Sequence, residues 1–363
     1  MMLAPGTIIG ILGGGQLARM LAMAAAGLGY RVHIYAPEAE SPARDVSAAF
    51  TQAAYEDETA LQRFAAEVDL VTYEFENVPA ATAHFLEKLR PLRPGSEALV
   101  ASQDRLVEKR FFNALGLVTA PFQPVENGGE LARAVAQIGR PSILKSRRLG
   151  YDGKGQAMIR EGSDIGAIYR AMGSPPCILE GLVNFTREIS IVAARTEQGA
   201  FAAYEPCENS HEHHILARTV VPATLQPETA QKAKDYVHAI ADALDYVGVL
   251  AVEMFVVEDY HTKAESLIIN EMAPRVHNSG HWTLGGAQTS QFEQHIRAIC
   301  GLPLGATTRL GDIVMTNLIG EAVETWAEHL ADPDALLQLY GKSETRPGRK
   351  MGHVTKVMRR PVP

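Results

Sequence analysis

The chain has 363 residues, of which 46% are hydrophobic and 21% are charged, so it is long enough for two or three domains and too apolar for general disorder. Its net charge of −8 argues against a broad nucleic-acid-binding surface, although a few local cationic groups can still hold a phosphorylated small molecule. The three cysteines lack metal-type spacing, and no signal peptide or long apolar segment is evident, which predicts a cytoplasmic protein with reduced thiols and without a membrane or nucleic-acid partner.

The first 90 residues alternate between short apolar segments and amphipathic ones. The expected strands are 7–12, 31–36 and 68–73. The expected helices are 16–28, 57–66 and about 79–89. This β-α-β-α-β order predicts a parallel sheet with helices on both faces. The segment 91–95 (PLRPG) then breaks the pattern and indicates a domain boundary.

The rest of the chain has a mixed pattern. A helix is expected to begin near Ser102 as its N-cap, and further helices are expected over about 163–172 and 227–244. The expected strands are 142–145, 156–160, 188–195, 200–204, 249–257, 266–272 and 313–319. This predicts an α+β core that does not continue the N-terminal sheet.

A glycine loop, Gly13-Gly14-Gly15-Gln16-Leu17-Ala18, joins the first strand to the first helix. Such glycines let the backbone approach an anion beside the positive end of the helix dipole. The loop fits G-x-G-x-x-A, and Glu38 follows at the distance of a ribose-binding acid, so a dinucleotide site is one reading. A phosphate site for another ligand and a purely structural turn are the other two.

A second glycine-rich segment, Gly150 to Gln156, follows Lys145 and the pair Arg147 and Arg148. Backbone N–H groups of such a flap can wrap phosphates while the cations neutralise charge. The alternative is a β-hairpin turn with solvated charges.

Two acids, Glu253 and Glu271, lie within apolar strands. Carboxylates there are costly unless they are paired or bind a cation, so they indicate either an Mg²⁺ site or two separate salt bridges. The following run, Arg275 to His281, could hold a small planar oxyanion through its guanidinium, imidazole and amide groups. A zinc site at His277 and His281 and a merely structural loop are the rival readings.

Two further polar clusters are ambiguous. The histidines of 211–214 are read as surface residues, as one nucleotide contact or as a metal site. Arg349 and Lys350 are read either as part of a solvated basic tail or as a clamp on an anionic substrate.

Together these segments resemble the N5-carboxyaminoimidazole ribonucleotide synthetases of the ATP-grasp superfamily. The matches run in the expected order and comprise residues 13–20, 72–79, 104–105 with Lys109, 150–156, 180–181, 270–275, 277–282, and 352–353 with Thr355. The flap and the Asn-Glu-Met-Ala-Pro-Arg run are together highly specific. Ala18 departs mildly from the family, in which glycine is common at this position.

The resemblance implies an α/β and α+β fold. A Rossmann-like domain would span residues 1–100, a two-part ATP-grasp core 101–295 and a small C-terminal domain 296–363. It also implies ATP and Mg²⁺ as cofactors, 5-aminoimidazole ribonucleotide and bicarbonate as substrates, and a homodimer.

The resemblance also implies roles for individual residues. The ATP site would comprise Arg105, Lys145, Gly150, Tyr151, Asp152, Gly153, Lys154, Gly155, Gln156, Glu180, Gly181, Leu182, Val183, Glu188, His211, Asn270 and Glu271. The substrate site would comprise Gly15, Gln16, Glu76, Tyr151, Asp152, Arg275, His277, Asn278, Ser279, Arg349 and Lys350. Glu253 and Glu271 would hold the metal. The catalytic residues would be Lys145, Arg275, His277 and Lys350.

The implied reaction is the ATP- and bicarbonate-dependent carboxylation of the aminoimidazole through carboxyphosphate, in purine biosynthesis. Another ATP-grasp ligase, such as a formate-dependent purine transformylase or a biotin carboxylase, is the first alternative. An NAD-dependent oxidoreductase is the second, but it would leave the segments 145–156 and 253–281 without a role.

Overall fold

The computed structural model describes residues 2–150 and 153–358. Their strands are β1 (Ile8–Leu12), β2 (Arg31–Ala36), β3 (Ala49–Gln52), β4 (Leu70–Tyr73), β5 (Phe122–Val125), β6 (Ser142–Ser146), β7 (Gln156–Ile159), β8 (Cys177–Gly181), β9 (Arg187–Arg195), β10 (Phe201–Ala203), β11 (Cys207–Glu212), β12 (Ile215–Val221), β13 (Gly248–Glu258), β14 (Glu265–Ala273), β15 (Asp312–Ile319), β16 (Ala335–Leu339) and β17 (Lys350–Met358). Their α-helices are α1 (Gln16–Gly27), α2 (Glu58–Ala66), α3 (Ala80–Glu87), α4 (Ser96–Gln103), α5 (Arg105–Ala114), α6 (Gly128–Ile138), α7 (Ile165–Ala171), α8 (Pro227–Ala243), α9 (Thr283–Gly286), α10 (Gln291–Ile299) and α11 (Trp326–Ala331).

The N-terminal strands form a four-stranded parallel sheet in the order β3-β2-β1-β4. One face buries Leu17 and Leu21 of α1, while the other buries Leu61 and Phe64 of α2. The prediction of a parallel sheet covered on both faces is therefore confirmed. Strand β3 was not predicted, because its four residues are half-exposed and carry no clear apolar pattern.

A second four-stranded sheet has the order β5-β8-β6-β7 and is antiparallel throughout. Helices α6 and α7 cover it, and Leu131, Leu144 and Leu179 lie in its core. The flap segment connects β6 to β7, so one of its ends is fixed beside Lys145 and the other at Gln156.

The largest sheet has nine strands, and eight of them follow the order β14-β13-β9-β11-β12-β15-β17-β16. Strand β10 pairs with β9 in an antiparallel hairpin, and both strands were expected from the sequence. Strands β15 to β17 continue the sheet of the central part through the pairing of β12 with β15, so the end of the chain and the core share one hydrogen-bonded ladder.

The helix expected to begin at Ser102 begins elsewhere. Ser102 lies inside α4, and α5 starts after Asp104, whose carboxylate accepts the N–H groups of Leu106 and Val107. The prediction was wrong because two helices meet here, and the acid at their junction is the residue that satisfies the free N–H groups of the second.

Helix α10 is buried at seven of its nine residues. Its apolar residues Phe292, Ile296 and Ile299 are completely buried and pack in the same core cluster as α1. Three of its polar residues, Gln291, Gln294 and His295, are also completely buried, so their hydrogen bonds must all be made within the protein. None of the helices formed by the described residues has the length and apolarity needed to cross a lipid bilayer.

Candidate active site

The glycine loop of the N-terminal sheet holds a carboxylate of the protein itself. Glu74, directly after β4, accepts the N–H of Gly15 and, at 2.9 Å, the N–H of Ala18. A Cβ at Gly15 would lie 2.6 Å from Glu74 Oε1, and a Cβ at Gly14 would lie 2.0 Å from Ser41 Oγ. The glycines are therefore required for this close approach, and Glu74 occupies the end of α1 where a dinucleotide phosphate would bind. Gln16, the first residue of α1, is half-buried.

The flap between β6 and β7 is shaped by its glycines. Gly153 and Gly155 have φ of +76° and +69°, a backbone conformation that costs other residues strain. A Cβ at Gly153 would lie 2.7 Å from His214, so the flap touches the turn between β11 and β12. Lys154 is exposed, and the predicted contacts of Tyr151 and Asp152 lie outside the described residues.

Two lysine side chains converge where α5 meets the second sheet. Lys145 Nζ lies 2.9 Å and Lys109 Nζ 3.5 Å from the same oxygen of Glu180, Oε2. Burial opposes ionisation, but both lysines hold the pKa of Glu180 below its ordinary value. The other oxygen, Oε1, is buried and finds no donor among the described residues, so it can accept a hydrogen bond from a ligand.

Two acids on neighbouring strands of the nine-stranded sheet, which is the third sheet, face each other. Glu253 and Glu271 are register partners on β13 and β14, so their side chains lie on one face of the sheet. Arg105 donates to Glu271 at 2.7 Å and to the carbonyl of Gly150 at 3.1 Å, which links the acids to the flap. Burial, together with the negative charge of Glu271, raises the pKa of Glu253 to about 7.

A small cavity beside the acid pair is lined by Glu188, His211, Glu253 and Asn270, among others. His211 Nδ1 lies 2.7 Å from Glu188 Oε2. Burial opposes the shift, but the adjacent Glu188 carboxylate raises the pKa of His211 above its ordinary value. The carbonyl of Asn270 accepts Lys109 Nζ at 3.0 Å, which joins this cavity to the lysine cluster.

The Arg275 run lies next to the acid pair. Arg275 donates to Glu76, and although burial opposes it, this partner lowers the pKa of Glu76 to about 2. His277 Nε2 lies 3.6 Å from Glu253 Oε1. Burial, with the positive charges of Arg275 and Lys350, lowers the pKa of His277 to about 3, so the ring is neutral at physiological pH.

The neutral ring of His277 has a defined tautomer. The backbone N–H of Ser279 donates to Nδ1 at 3.3 Å, which makes Nδ1 an acceptor and leaves the proton on Nε2. Ser279 Oγ also lies 2.9 Å from Nδ1 and accepts from Ser190 Oγ at 2.7 Å. Asn278 has a different partner, because its side-chain amide exchanges hydrogen bonds with that of Asn317.

The two basic residues near the end of the chain point to different places. The charge of Lys350 acts on the pKa values of Glu253, His211 and His277, so it lies near the acid pair. Arg349 lines a cavity of about 340 Å³ between residues 39–45 and 341–349, next to Ser41 and thus to the glycine loop.

The structure therefore brings most of the predicted site residues into one cleft between the second and third sheets. Leu182 and Val183 follow Gly181 at the end of β8, where Leu182 is exposed and Val183 is half-buried. His213 and His214 form the turn after β11, while His281 is completely buried. Among the described residues no group of three or more His, Cys, Asp or Glu side chains is placed to hold a metal without other ligands.

Residues to which the sequence analysis assigned no role also contribute. Lys109 lies on the apolar face of α5, three residues from both Leu106 and Phe112, and this unusual position was the available signal. Glu74 lay inside a matched segment but had no local sign of its partner, 59 residues away. The buried Gln291 was also missed.

Three family models match successive parts of the chain. The ribonucleotide synthetase preATP-grasp domain matches residues 7–103, the ATP-grasp domain 110–292, and the phosphoribosylaminoimidazole carboxylase C-terminal domain 313–360. These matches confirm the expected fold class and the expected order of its parts.

Relatives match over nearly the whole length. The chain is 48% identical to the N5-carboxyaminoimidazole ribonucleotide synthase of Brucella melitensis, over 99% of both chains. It is similar to a crystal structure of an N5-carboxyaminoimidazole ribonucleotide synthetase in complex with ADP, with 42% identity, a TM-score of 0.93 and coverage of 98% and 93% of the two chains. The synthase of Aspergillus clavatus, in complex with ADP and 5-aminoimidazole ribonucleotide, gives 30% identity, a TM-score of 0.89 and coverage of 97% and 94%.

Proposed function

The chain belongs to the N5-carboxyaminoimidazole ribonucleotide synthases, a family of ATP-grasp ligases, and on this premise we propose how its cleft carries out the reaction. It is an ATP-dependent carbon–nitrogen ligase of purine biosynthesis. It carboxylates 5-aminoimidazole ribonucleotide to N5-carboxyaminoimidazole ribonucleotide.

One observation carries the proposal. The cations Arg105 and Lys145 lie on one side of the cleft, and the paired acids Glu253 and Glu271 lie on the other, with the Arg105–Glu271 contact joining the two sides. A nucleotide triphosphate needs both: donors for its oxygens and a cation held by carboxylates. No reading of the chain as an oxidoreductase gives these residues a role.

The acid pair fits Mg²⁺. Burial and mutual repulsion penalise two ionised carboxylates this close, and a hard divalent cation would relieve that penalty. We propose that Glu253 and Glu271 hold the ion with help from Asn270, and that it offsets charge on the ATP phosphates when bound.

The remaining ATP contacts follow the shape of the cleft. Arg105, Lys145 and the flap from Gly150 to Gln156 would hold the phosphates. Glu180, with its unpartnered oxygen, and the segment 181–183 would hold adenine. Glu188 and His211 would bind the ribose.

The second substrate is proposed to be bicarbonate, held by Arg275, His277, Asn278 and Ser279. The neutral His277 can donate only through Nε2, which faces the acid pair, so it can hold an oxygen of the bound anion without adding charge. The ribonucleotide would contact Gly15, Gln16, Glu76, Tyr151, Asp152, Arg349 and Lys350.

The reaction proceeds in two displacements. A bicarbonate oxygen attacks the γ-phosphorus of ATP. ADP departs as the leaving group, and carboxyphosphate is formed. The amine nitrogen of the aminoimidazole then forms the new C–N bond with the activated carbon, phosphate leaves and one amine proton is released. Lys145 and Arg105 hold the transferred phosphoryl group, while the flap excludes water from an intermediate that hydrolyses readily.

The proposal also covers the domain organisation, the cellular location and the oligomeric state. We propose domain boundaries near residues 100 and 295, a cytoplasmic location and a homodimer. The three buried free cysteines are compatible with a reducing compartment. Size-exclusion chromatography with light scattering measures the oligomeric state directly, and a monomer would refute the dimer.

ADP release tests the function. With ATP and Mg²⁺, release should require both the aminoimidazole ribonucleotide and bicarbonate, and the carboxylated ribonucleotide should form with one ADP per product. Release that depends on formate and a different purine precursor, or on biotin, would instead support one of the alternative ligases. Ligand binding without ADP formation would refute catalysis.

A further inference from the structure

Gln291, the first residue of α10, makes an unusual pair of hydrogen bonds. Its Oε1 accepts the backbone N–H of His277 at 2.9 Å, and its Nε2 donates to the carbonyl of the same residue at 2.7 Å. Because the backbone partners fix which amide atom is donor and which is acceptor, the orientation of the amide is unambiguous. The side chain is completely buried, so water does not replace either bond.

Among the described residues, His277 has one other backbone hydrogen bond: its carbonyl accepts the N–H of Gly280 at 3.0 Å. It lies beyond the end of β14 at Ala273 and before the short turn Asn278–Gly280, so no strand ladder fixes its peptide groups. Its ring is oriented by Ser279 and faces Glu253, so a shift of the backbone would move the Nε2–H out of the cleft. A Cβ at Gly280 would lie 2.5 Å from Gln291 Oε1, so the loop is packed closely around the amide.

We propose that Gln291 is a positioning residue for the anion subsite: its amide clamps the backbone of His277 and so aims the imidazole Nε2–H at the oxyanion bound beside Glu253. The role extends the proposed function, since it assumes that this subsite takes bicarbonate. Gln291 itself does not touch the substrate.

The same helix supplies a matched control. Gln294 is also completely buried, and its amide clamps Gly305 in the same way, accepting the Gly305 N–H and donating to the Gly305 carbonyl, both at 2.7 Å. Gly305 lies in the loop after α10, and its hydrogen bonds to the Gln294 amide involve no residue assigned to the cleft. Gln291→Met and Gln294→Met therefore remove the same pair of backbone hydrogen bonds from equally buried sites, and only the first removes it from His277. Gln291→Met also removes the contact of Nε2 with His281 Nδ1, at 3.1 Å.

The experiment compares the two variants in the complete enzyme. Both should lose stability to urea, and the loss in Gln291→Met includes the buried contact with His281. Gln291→Met should lower kcat/KM for bicarbonate by about 10-fold or more and leave KM for ATP unchanged. A small displacement of a positioned group lowers catalytic efficiency by this order. Gln294→Met should leave both constants near their wild-type values. Equal kinetic changes in the two variants would overturn the proposal.

A second variant covers the case in which Gln291→Met does not fold. Gly280→Ala keeps the amide but pushes it from His277, and it should lower kcat/KM for bicarbonate in the same selective way. If wild-type ADP release does not respond to bicarbonate, the proposed function fails, and crystal structures then judge the clamp separately. The clamp is supported if the His277 ring is displaced in Gln291→Met and not in Gln294→Met. A ring that stays in place in Gln291→Met would overturn the clamp.

Discussion

Glu271 has two partners of opposite kind: it accepts a hydrogen bond from Arg105 and faces Glu253 across the ladder. Glu271→Gln keeps the shape and removes the charge, and Lys145→Ala removes a phosphate donor. We expect each to lower kcat by at least about 10²-fold, the scale for losing a positioned electrostatic group. Turnover of ATP in the complete assay measures the effect.

Glu265→Gln is the control for Glu271→Gln. It removes the charged partner of Arg187 at the opposite end of β14, so it breaks a comparable ion pair outside the cleft. Near-normal turnover is expected for it, and near-normal turnover in both cleft variants would contradict their assigned roles.

His295 should make stability depend on pH. Its Nδ1 accepts the N–H of Val249 at 3.0 Å, its Nε2 lies 2.9 Å from Thr72 Oγ1, and burial lowers its pKa from 6.5 to about 3. Between these two values the unfolded chain binds more protons than the folded one. The stability present above about pH 6.5 is therefore lost progressively as the pH falls toward 3.

His295→Gln tests this linkage, because a glutamine can accept from Val249 and donate to Thr72 without titrating. One such histidine lowers the free energy of unfolding by about 1.4 kcal/mol when the pH falls from 7.5 to 5.5. Urea unfolding at the two pH values measures this decrease in the free energy of unfolding. The decrease should be smaller in the variant than in the wild type by about the contribution of the one histidine. The same loss in both proteins would mean that His295 does not titrate as assigned.

The flap packs against the turn after β11, because Gly153 leaves no room for a Cβ beside His214. We expect Gly153→Ala to hold them apart, so that water reaches the activated intermediate and more ADP is released per carboxylated product, by roughly 2-fold or more. Assays of ADP and product in the same sample give this ratio.

Gly162→Ala controls for backbone strain. Gly162 has a similar φ of +75°, but a Cβ there meets no atom within 4 Å. Both variants carry a left-handed non-glycine residue at a cost of about 1 kcal/mol, and only Gly153→Ala should change the ratio. A changed ratio in both would assign the effect to strain alone.

Elements with strong local patterns were predictable, and elements defined by distant partners were not. The apolar runs of β13 and β14 indicated strands, and an acid inside each run indicated a functional pair because an unpartnered carboxylate there is costly. Strands β11 and β16 alternate weakly and are identified only by the neighbours they pair with. The same limit applies to Glu74 and Gln291, whose partners are remote or are backbone groups.

At the scale of the whole molecule, the cleft and the glycine loop should discriminate between nucleotides. ATP with Mg²⁺ bridges the second and third sheets and should stabilise the fold by about 2.7 kcal/mol at 100 times its Kd, a rise in Tm of several degrees. NAD should not raise the Tm, because Glu74 already accepts hydrogen bonds from the N–H groups of Gly15 and Ala18. A thermal-shift assay compares them, and stabilisation by NAD alone would refute this assignment.

Helix α10 connects parts of the molecule that are far apart in sequence. Its three buried polar residues bind β4 and β13 through His295, the Arg275 run through Gln291 and the following loop through Gln294. Gln291 and His295 therefore tie α10 to elements that carry cleft residues, while Gln294 ties it to a loop outside the cleft.

The continuous nine-stranded ladder has a consequence for shortened forms of the protein. Removing the last 50 or so residues would strip β15 from β12 and leave a row of backbone donors and acceptors from Arg218 to Val221 open to solvent. An open strand of this kind recruits other chains. Prematurely terminated copies would consequently self-associate rather than persist as a smaller working enzyme.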